Sequence, residues 1–539
     1  MYRPPVMSRT GLHAALRRMV QIAQASLVPG APPLREITER EREGRISRRR
    51  FLLNAGGQAL TLAAMGGCRS CPRVRPRRGE ARVAIVGGGL AGLTSAYELR
   101  RCGIESTVFE SSSRIGGRVF TARDITAPGL TTELGGEFID STHEDLLELT
   151  RQFGLELIDT GTPDEASLAD TYFFSGRARG DEEILEALVP VVARMREDFA
   201  ALPATVDFQT RSPKALELDN RSLDEYLDRI GATGFLRDLL AVAYVTEYGL
   251  DLGEQSSLNL LMLFGLGNPA EGTTGKPKFE PYGDSDERFK VRGGNEHIIE
   301  ELVSRIGDQV QTDYRLESMA HTGGGYSLSF ARPGGGSAEV RADVVLLALP
   351  FSVLRDVELR LDLPQLKHKA IQELGYGQGA KLLLSFQRRT WREQRRSGSF
   401  FTDAGPQSGW DNSRGQPGTG GGLTIFTGGT KSAELASNSA FVAAHGCLPA
   451  VVQIFPDADR AFSGPAGKFH WPSHPYTKGS YAVYRRGQWT SIAGIEALPV
   501  GHVFFAGEHC SRDFQGFMNG AVQSARRAAI AIRQTCRMR

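Results

Sequence analysis

Hydrophobic and polar positions alternate between two regimes along this chain. Residues 83–86 (VAIV) form a short uninterrupted apolar run, the pattern of a strand buried on both faces of a parallel sheet. Leu90, Leu93 and Tyr97 then recur at helical spacing, and residues 107–110 close a second strand. From about 142 to 260 the segments HEDLLELTRQFGLEL, EEILEALVPVVARMREDF and SLDEYLDRI place apolar residues three and four apart, which predicts a mainly helical block without a strand–turn signature. Strand-like runs return at 342–349, 381–386 and 503–506, and a last helix is expected from about Gly516. Strand–helix–strand at both ends of the chain, with a helical block and further strands between, predicts an α/β class with two interleaved parts.

The junction between the first strand and helix carries chemistry. Gly87, Gly89 and Gly92 spell G-x-G-x-x-G. The first glycine permits the tight turn, the second lets backbone approach a pyrophosphate, and the third lets helix pack closely on strand. The helix's first free N–H groups and positive dipole end face the phosphates. Glu110 lies 23 residues after Gly87, near the ~20 expected of an acid that binds a ribose hydroxyl. A glycine triplet alone has many uses; with strand, helix, second strand and acid in place it predicts a dinucleotide site. No second unit of this kind follows, so a separate nicotinamide domain is not expected.

Composition changes the picture mainly at the N-terminus. With 539 residues and 40% hydrophobic content, the chain can bury more than one core. The formal charge of +2 conceals an asymmetry: residues 1–80 hold 16 Arg and 5 Glu, for +11, and the rest carries −9. The body therefore has no nucleic-acid footprint. Ser47-Arg48-Arg49-Arg50-Phe51-Leu52-Leu53 resembles a twin-arginine translocation motif, and an apolar run interrupted by Asn54, Gly56, Gly57 and Gln58 follows it. That run is too short and polar to span a bilayer. The resemblance implies export, as a folded protein through the twin-arginine translocase, to the periplasm or cell exterior. Cys68 ends a loose lipoprotein-like box, a weak sign of a lipid anchor. Cys68-x-x-Cys71 has no second metal-like pair, and Cys102, Cys447, Cys510 and Cys536 are too scattered for a disulfide framework. His470 and His474 are four apart, but Pro472 between them prevents a regular helix, so no metal site is expected.

Further segments resemble the FAD-dependent amine oxidase superfamily, in particular bacterial flavin monoamine oxidases and L-amino-acid oxidases. Arg114-Ile115-Gly116-Gly117-Arg118 directly follows the acid, and FFAGEHCSRDFQGFMNGAVQSARRAA closes the chain. The resemblance spans about residues 81–535. It implies a glutathione-reductase-like Rossmann FAD-binding domain interleaved with an α+β substrate domain. The corresponding division is 1–80 signal region and linker, 81–140, 286–350 and 466–535 FAD-binding, 141–285 helical substrate cap, and 351–465 substrate-domain sheet. It places Arg118 and Glu508 near the phosphates, Gly135 and Gly136 (in ELGGEF) along the isoalloxazine, and Met518 on a helix facing the pyrimidine. Leu316 either brings its backbone to the adenine or is an ordinary core leucine. Glu137 either faces substrate or is a solvent-facing loop acid.

The same resemblance gives Lys381 as the lysine that holds a water at flavin N5. A lysine heading the run Leu382-Leu383-Leu384 is costly if buried without a partner, and strand alternation alone allows a solvated face. Ser480 stands where some relatives carry a flavin-linking cysteine, so non-covalent FAD is implied. Tyr481 and Phe517 fall where the family flanks the substrate amine with aromatic walls, whose faces attract a cation or amine. The expected reaction is oxidative deamination of a primary amine or L-amino acid, with hydride to flavin, O2 as acceptor and hydrogen peroxide as product. An arginine anchoring a substrate carboxylate is absent from 133–140, leaving Arg414, Arg292 or another residue as substitutes. A carbon–carbon desaturase of the protoporphyrinogen-oxidase type and a non-catalytic redox module are the alternatives, and a homodimer is left open.

Overall fold

The computed structural model describes residues 11–27, 31–39, 81–264 and 286–538; the twin-arginine-like motif, Cys68 and Cys71 lie outside them. The elements that shape the site are, in chain order, helix α1 (Gly11–Ser26), strand β1 (Val83–Val86), α2 (Leu90–Arg101), β2 (Ser106–Phe109), β3 (Ala169–Phe174), β4 (Arg177–Arg179), α3 (Asp181–Ala200) and α4 (Gly234–Tyr248). They continue with β5 (Val310–Gln311), β6 (Val344–Leu347), β7 (Ala380–Phe386), β8 (Arg396–Thr402), β9 (Ser408–Asp411), β10 (Gly421–Thr427), β11 (Phe462–His470), β12 (Val503–Phe505) and α5 (Met518–Met538).

Two sheets organise the molecule. A parallel five-stranded sheet has the order β12-β6-β1-β2-β5, and β1 and β6 are buried along their whole length. Helices α2 and α5 cover it, and their apolar faces join β1 and β6 in one core that includes Leu93, Ala96, Val522 and Ala525. The second sheet has seven strands in the order β11-β7-β10-β9-β8-β3-β4. Its pairings are antiparallel except β8 with β3. A fold with a parallel nucleotide sheet and a separate substrate sheet is the α/β class expected from the pattern.

Three local expectations differ from the structure. The 342–349 run is broken: residues up to Ala342 belong to a four-stranded sheet and β6 starts at Val344. Asp343, at the break, accepts from the Arg82 backbone N–H (2.8 Å) and guanidinium (3.0 Å). The helix expected through 157 stops at Phe153, because Gly154 takes a left-handed C-cap (φ 70°). Leu157–Asp159 then pairs with Phe289–Val291 as strand. The helical block also contains a β-hairpin, β3–β4. Its turn, Ser175-Gly176, has two left-handed residues (φ 52° and 76°), the geometry that matches strand twist in a two-residue hairpin. The Ser-Gly pair between YFF and RAR was the available signal.

A fourth difference lies near the N-terminus. Within the stretch read as leader and linker, α1 is packed into the substrate-side core, with Leu16, Val20 and Ala23 fully buried. No helix among the described residues is long and apolar enough to cross a membrane. Cys102, Cys447, Cys510 and Cys536 are not disulfide-bonded.

Candidate active site

One cavity of about 1120 Å3 is lined by residues of both sheets. At one end stands the turn after β1. Gly87 has φ +110°, and a Cβ there would lie 2.6 Å from the Ala348 carbonyl oxygen. A Cβ on Gly92 would lie 2.0 Å from the Gly87 carbonyl oxygen, so α2 could not keep its seat on β1. Gly89 instead faces open space, its nearest neighbour lying 3.8 Å from an added Cβ. It is also the N-cap of α2 and brings no side chain to satisfy the helix's first N–H groups, which leaves them for an anion. Gly87 and Gly89 line the cavity, whereas Gly92 acts from behind it.

Glu110 borders the same end and is nearly buried. One carboxylate oxygen accepts from Gly88 N–H (2.7 Å), and the other from Ser112 N–H (2.9 Å) and the Ser111 hydroxyl (3.0 Å). The acid is thereby fixed beside the glycine turn. Arg114 braces the following loop by donating to the carbonyls of Ile115, Gly117 and Val119, and burial lowers its pKa.

Arg118 reaches across the chain to Glu508 (2.7 Å) and the Ser480 carbonyl (2.9 Å). Glu508 also accepts from Ala482 N–H (3.2 Å) and Gly516 N–H (2.7 Å). This carboxylate therefore ties Arg118 to the turn that launches α5, whose first residue, Met518, lines the cavity with Phe517. Gly135 and Gly136 also line it, but their missing side chains are explained by protein contacts. A Cβ would lie 1.9 Å from the Arg118 carbonyl oxygen at position 135 and 2.9 Å from Met518 at position 136. Leu316 is buried in the core and is not brought to the cavity wall.

Lys381, on β7, points inward with 5% exposure. Its ammonium donates to the carbonyls of Glu133 (2.8 Å) and Gly135 (3.0 Å) and to the Glu137 carboxylate (3.0 Å). Register explains this: Leu382 and Leu384 lie in the core beneath the sheet while Lys381 takes the opposite face. Glu137 is a buried ion-pair partner, not a solvent-facing acid. Beneath the pair, burial raises the Glu133 carboxyl to about 7, with hydrogen bonds from Asn295 N–H and the Thr121 hydroxyl opposing the rise.

Aromatic rings complete this end. Tyr481 and Phe517 both line the cavity; the Tyr481 hydroxyl donates to the Thr246 carbonyl (3.1 Å), and the Phe517 ring meets buried His143 edge-on at 5.0 Å. Desolvation lowers His143 to about 3, keeping it neutral. Sequence reasoning missed Trp410, whose ring lies 5.2 Å from the Lys381 ammonium and packs with Phe138 and Phe426. Only the pairing of β9 with β10, which sets Ser408 opposite Phe426, brings them together. The arginines proposed as carboxylate anchors are committed elsewhere. Arg414 binds Glu165 (2.6 Å), and Arg292 pairs with exposed Glu156 outside the cavity wall. A third, Arg288, grips Asp159 through two nitrogens at 2.8 Å each.

The glycine turn, uncapped helix, fixed acid and cross-chain arginine have the chemistry to hold a dinucleotide at that end of the cavity. The family model for flavin containing amine oxidoreductase matches residues 90–533. The chain is 25% identical to a pseudooxynicotine dehydrogenase of a Pseudomonas species, over 90% of this chain and 95% of that protein. It is 23% identical to an L-amino-acid oxidase of Demansia vestigiata, over 83% and 86%. Cyclohexylamine oxidase from Brevibacterium oxydans has a similar fold, with a TM-score of 0.72, 24% identity, and coverage of 85% of this chain and all of that one.

Proposed function

The chain belongs to the family of flavin-containing amine oxidoreductases, and from that premise we propose that it binds FAD without a covalent bond and oxidises a primary amine lacking an α-carboxylate. The commitment of three of the cavity's arginines supports the choice of amine. Arg288 and Arg414 at the substrate end are each held by a carboxylate, and Arg118 at the cofactor end is held by Glu508; Arg114 is spent on backbone carbonyls, and Arg18 of α1 also lines the cavity. An amino acid's carboxylate bound at any of the three pairs would have to break it, and an uncharged tail would not.

Bound FAD supplies a two-electron acceptor for the hydride that leaves the amine's α-carbon. The protein's share is placement. Glu110 would take a ribose hydroxyl, the α2 N-terminus and Arg118 the phosphates, and the N-terminus of α5 the negative charge that builds on the reduced ring. Tyr481 and Phe517 orient the neutral amine, and Trp410, Phe138 and Phe426 keep water from its tail. The oxidised carbon leaves as an imine, which water converts to an aldehyde and ammonia. With the cofactor bound, the Lys381 ammonium, held in place by Glu137, would favour negative charge on an acceptor such as O2, with hydrogen peroxide the expected product. Ser480 has no thiol, and its hydroxyl donates to the Gly377 carbonyl (2.9 Å). Export through the twin-arginine translocase, to the periplasm or cell exterior, is part of the same reading, supported by the motif at 47–53.

The test is a peroxide-release screen of the purified yellow protein with primary amines, L-amino acids and D-amino acids. Amines active and amino acids inactive is the expected result. L-amino acids turned over in preference to amines would sink the substrate assignment, and no peroxide with any of them would favour a desaturase or a redox module.

A further inference from the structure

Glu287 stands in the cavity wall with its backbone pinned and its carboxyl uncommitted. Its N–H donates to the Asp140 carboxylate (2.9 Å), and its carbonyl accepts from the Thr160 hydroxyl (3.2 Å). The residue takes a left-handed φ of 44°, uncommon for anything but glycine. No described residue donates a hydrogen bond to the carboxyl. The same corner carries the reacting end. Asp140 N–H donates to Nδ1 of His143 (3.0 Å), whose ring meets Phe517, and Glu137, which holds Lys381, acts on Glu287 through space. The charges that act most strongly on Glu287 are all negative: Asp140 and Glu137 from the 133–140 segment, Asp170 from β3 and Glu247 from α4. The nearby cations are spent, Arg288 on Asp159, Arg414 on Glu165 and Lys381 on Glu137, while Asp286 and Arg18 of α1 also line the cavity. Burial, together with the four carboxylates, holds the Glu287 carboxyl well above the usual carboxylate range.

We propose that Glu287 is the proton acceptor for the incoming substrate, receiving it as an ammonium ion and passing it to the aromatic walls as the free amine. The proposal rests on the amine reading above and supplies a step that reading leaves open. Alkylamines are ammonium ions at neutral pH, and hydride does not leave a carbon beside a nitrogen whose lone pair is tied up by a proton. In the step, one N–H bond of the ammonium breaks, its electron pair stays on nitrogen, and the proton forms an O–H bond on Glu287 before passing to water. A carboxylate among carboxylates draws the cation in, and the surroundings that make it hold a proton tightly suit it to take one. Once protonated, Glu287 no longer holds the neutral amine, which is free to settle between Tyr481 and Phe517.

The experiment uses the full-length, FAD-loaded protein and two probes, from about pH 6 to about pH 10. Benzylamine is followed as kcat/KM by peroxide release. Tetramethylammonium, a cation with no proton to give, is followed as affinity by calorimetry. Wild-type kcat/KM should rise until Glu287 has ionised and then level off below the amine's own pKa. Glu287→Gln can use only amine already neutral in water, so its kcat/KM should climb about tenfold per pH unit, from about a hundredfold below wild type near neutrality to convergence near pH 10. A merely structural loss would lower the rate alike at every pH. Tetramethylammonium should bind the wild type more tightly as pH rises, and the glutamine variant about tenfold more weakly and without pH dependence. Glu287→Asp, which keeps the carboxyl, should retain both pH dependences at shifted midpoints, and it serves as the second variant should Glu287→Gln fail to load flavin. A glutamine variant whose profile levels off like the wild type's, or that binds tetramethylammonium as the wild type does, would overturn the assignment; so would an aspartate variant without either pH dependence. Cation binding that depends on Glu287, with no peroxide from any amine, would leave the carboxylate facing a cation and overturn the oxidase reading instead.

Discussion

The two ends of the cavity are built on opposite principles. The dinucleotide end is mostly backbone: a strand, a glycine turn and a helix N-terminus contiguous from Val83 to Arg101, with Glu110 close behind and held by Gly88 N–H. The substrate end is mostly side chains from distant segments. Lys381 meets Glu137 across 244 residues of sequence, Arg414 meets Glu165 across 249, and residues of α1 join the cavity lining. A backbone site is specified by local conformation and fails through steric contact. A side-chain site is specified by packing and fails through uncompensated charge.

The largest expected effect breaks the backbone end. Gly92→Val would push its Cβ into the Gly87 carbonyl, 2.0 Å away with no flexible side chain to yield. Purified protein should be colourless and lose cooperative unfolding of the nucleotide sheet, as read by flavin absorbance and circular dichroism. A yellow, folded Gly92→Val protein would show that the turn is not steric.

At the substrate end, Lys381→Met leaves the Glu137 carboxylate buried without its partner. Removing one member of a buried pair costs about 3 kcal/mol, and loss of the fixed charge should slow flavin reoxidation by about a hundredfold. The double variant Lys381→Met/Glu137→Gln should recover most of the stability but not the reoxidation rate, measured by urea unfolding and stopped-flow. Recovery of both would reduce the lysine to a structural role.

The smallest effect compares buried acids under the two ends. Burial raises Glu133, at the substrate end, and Glu496, near the α5 turn, from an ordinary 4.5 to about 7. Glu496 accepts from the Tyr484 hydroxyl (2.9 Å) and Gly494 N–H (2.7 Å). The native state keeps these protons where the unfolded chain has lost them, so both glutamates remove stability as pH rises from about 4.5 to about 7. Buried His143 and His509 act in the opposite sense. Desolvation lowers them from 6.5 to about 3 and about 4; the unfolded chain takes up protons below 6.5 that the native state refuses, so stability is lost as pH falls below 6.5 and gained as it rises. Glu496→Gln removes one descending slope, so between about pH 5 and 6 the change of its stability with rising pH should be more positive than the wild type's by about 1 kcal/mol per pH unit, read by urea midpoints. A slope unchanged from wild type would show that Glu496 is ionised in the native state.

Lys381 shows how far the sequence reaches. A lysine at the head of a leucine run fits either face of a strand, and only the pairing of β7 with β10 and β11 turns it inward. Trp410 and Phe426 carried no signal of their own, because their closeness is a fact of register. Leu316 matched a position expected to bring its backbone to the adenine or to be an ordinary core leucine, and its side chain is in the core. The hairpin at 169–179 was legible in its Ser-Gly turn but lay among strongly helical patterns, and α1 was hidden by the arginine-rich charge of the leader.

By itself the sequence determined the strand–turn–helix, the acid at its fitting distance and the α/β class, because each depends on the conformation of neighbouring residues. Tertiary structure alone decided which carboxylate neutralises which cation, which rings face the reacting end, and that a helix near the N-terminus walls the cavity. Those features depend on charge pairing and apolar burial between segments hundreds of residues apart, and no local pattern records them.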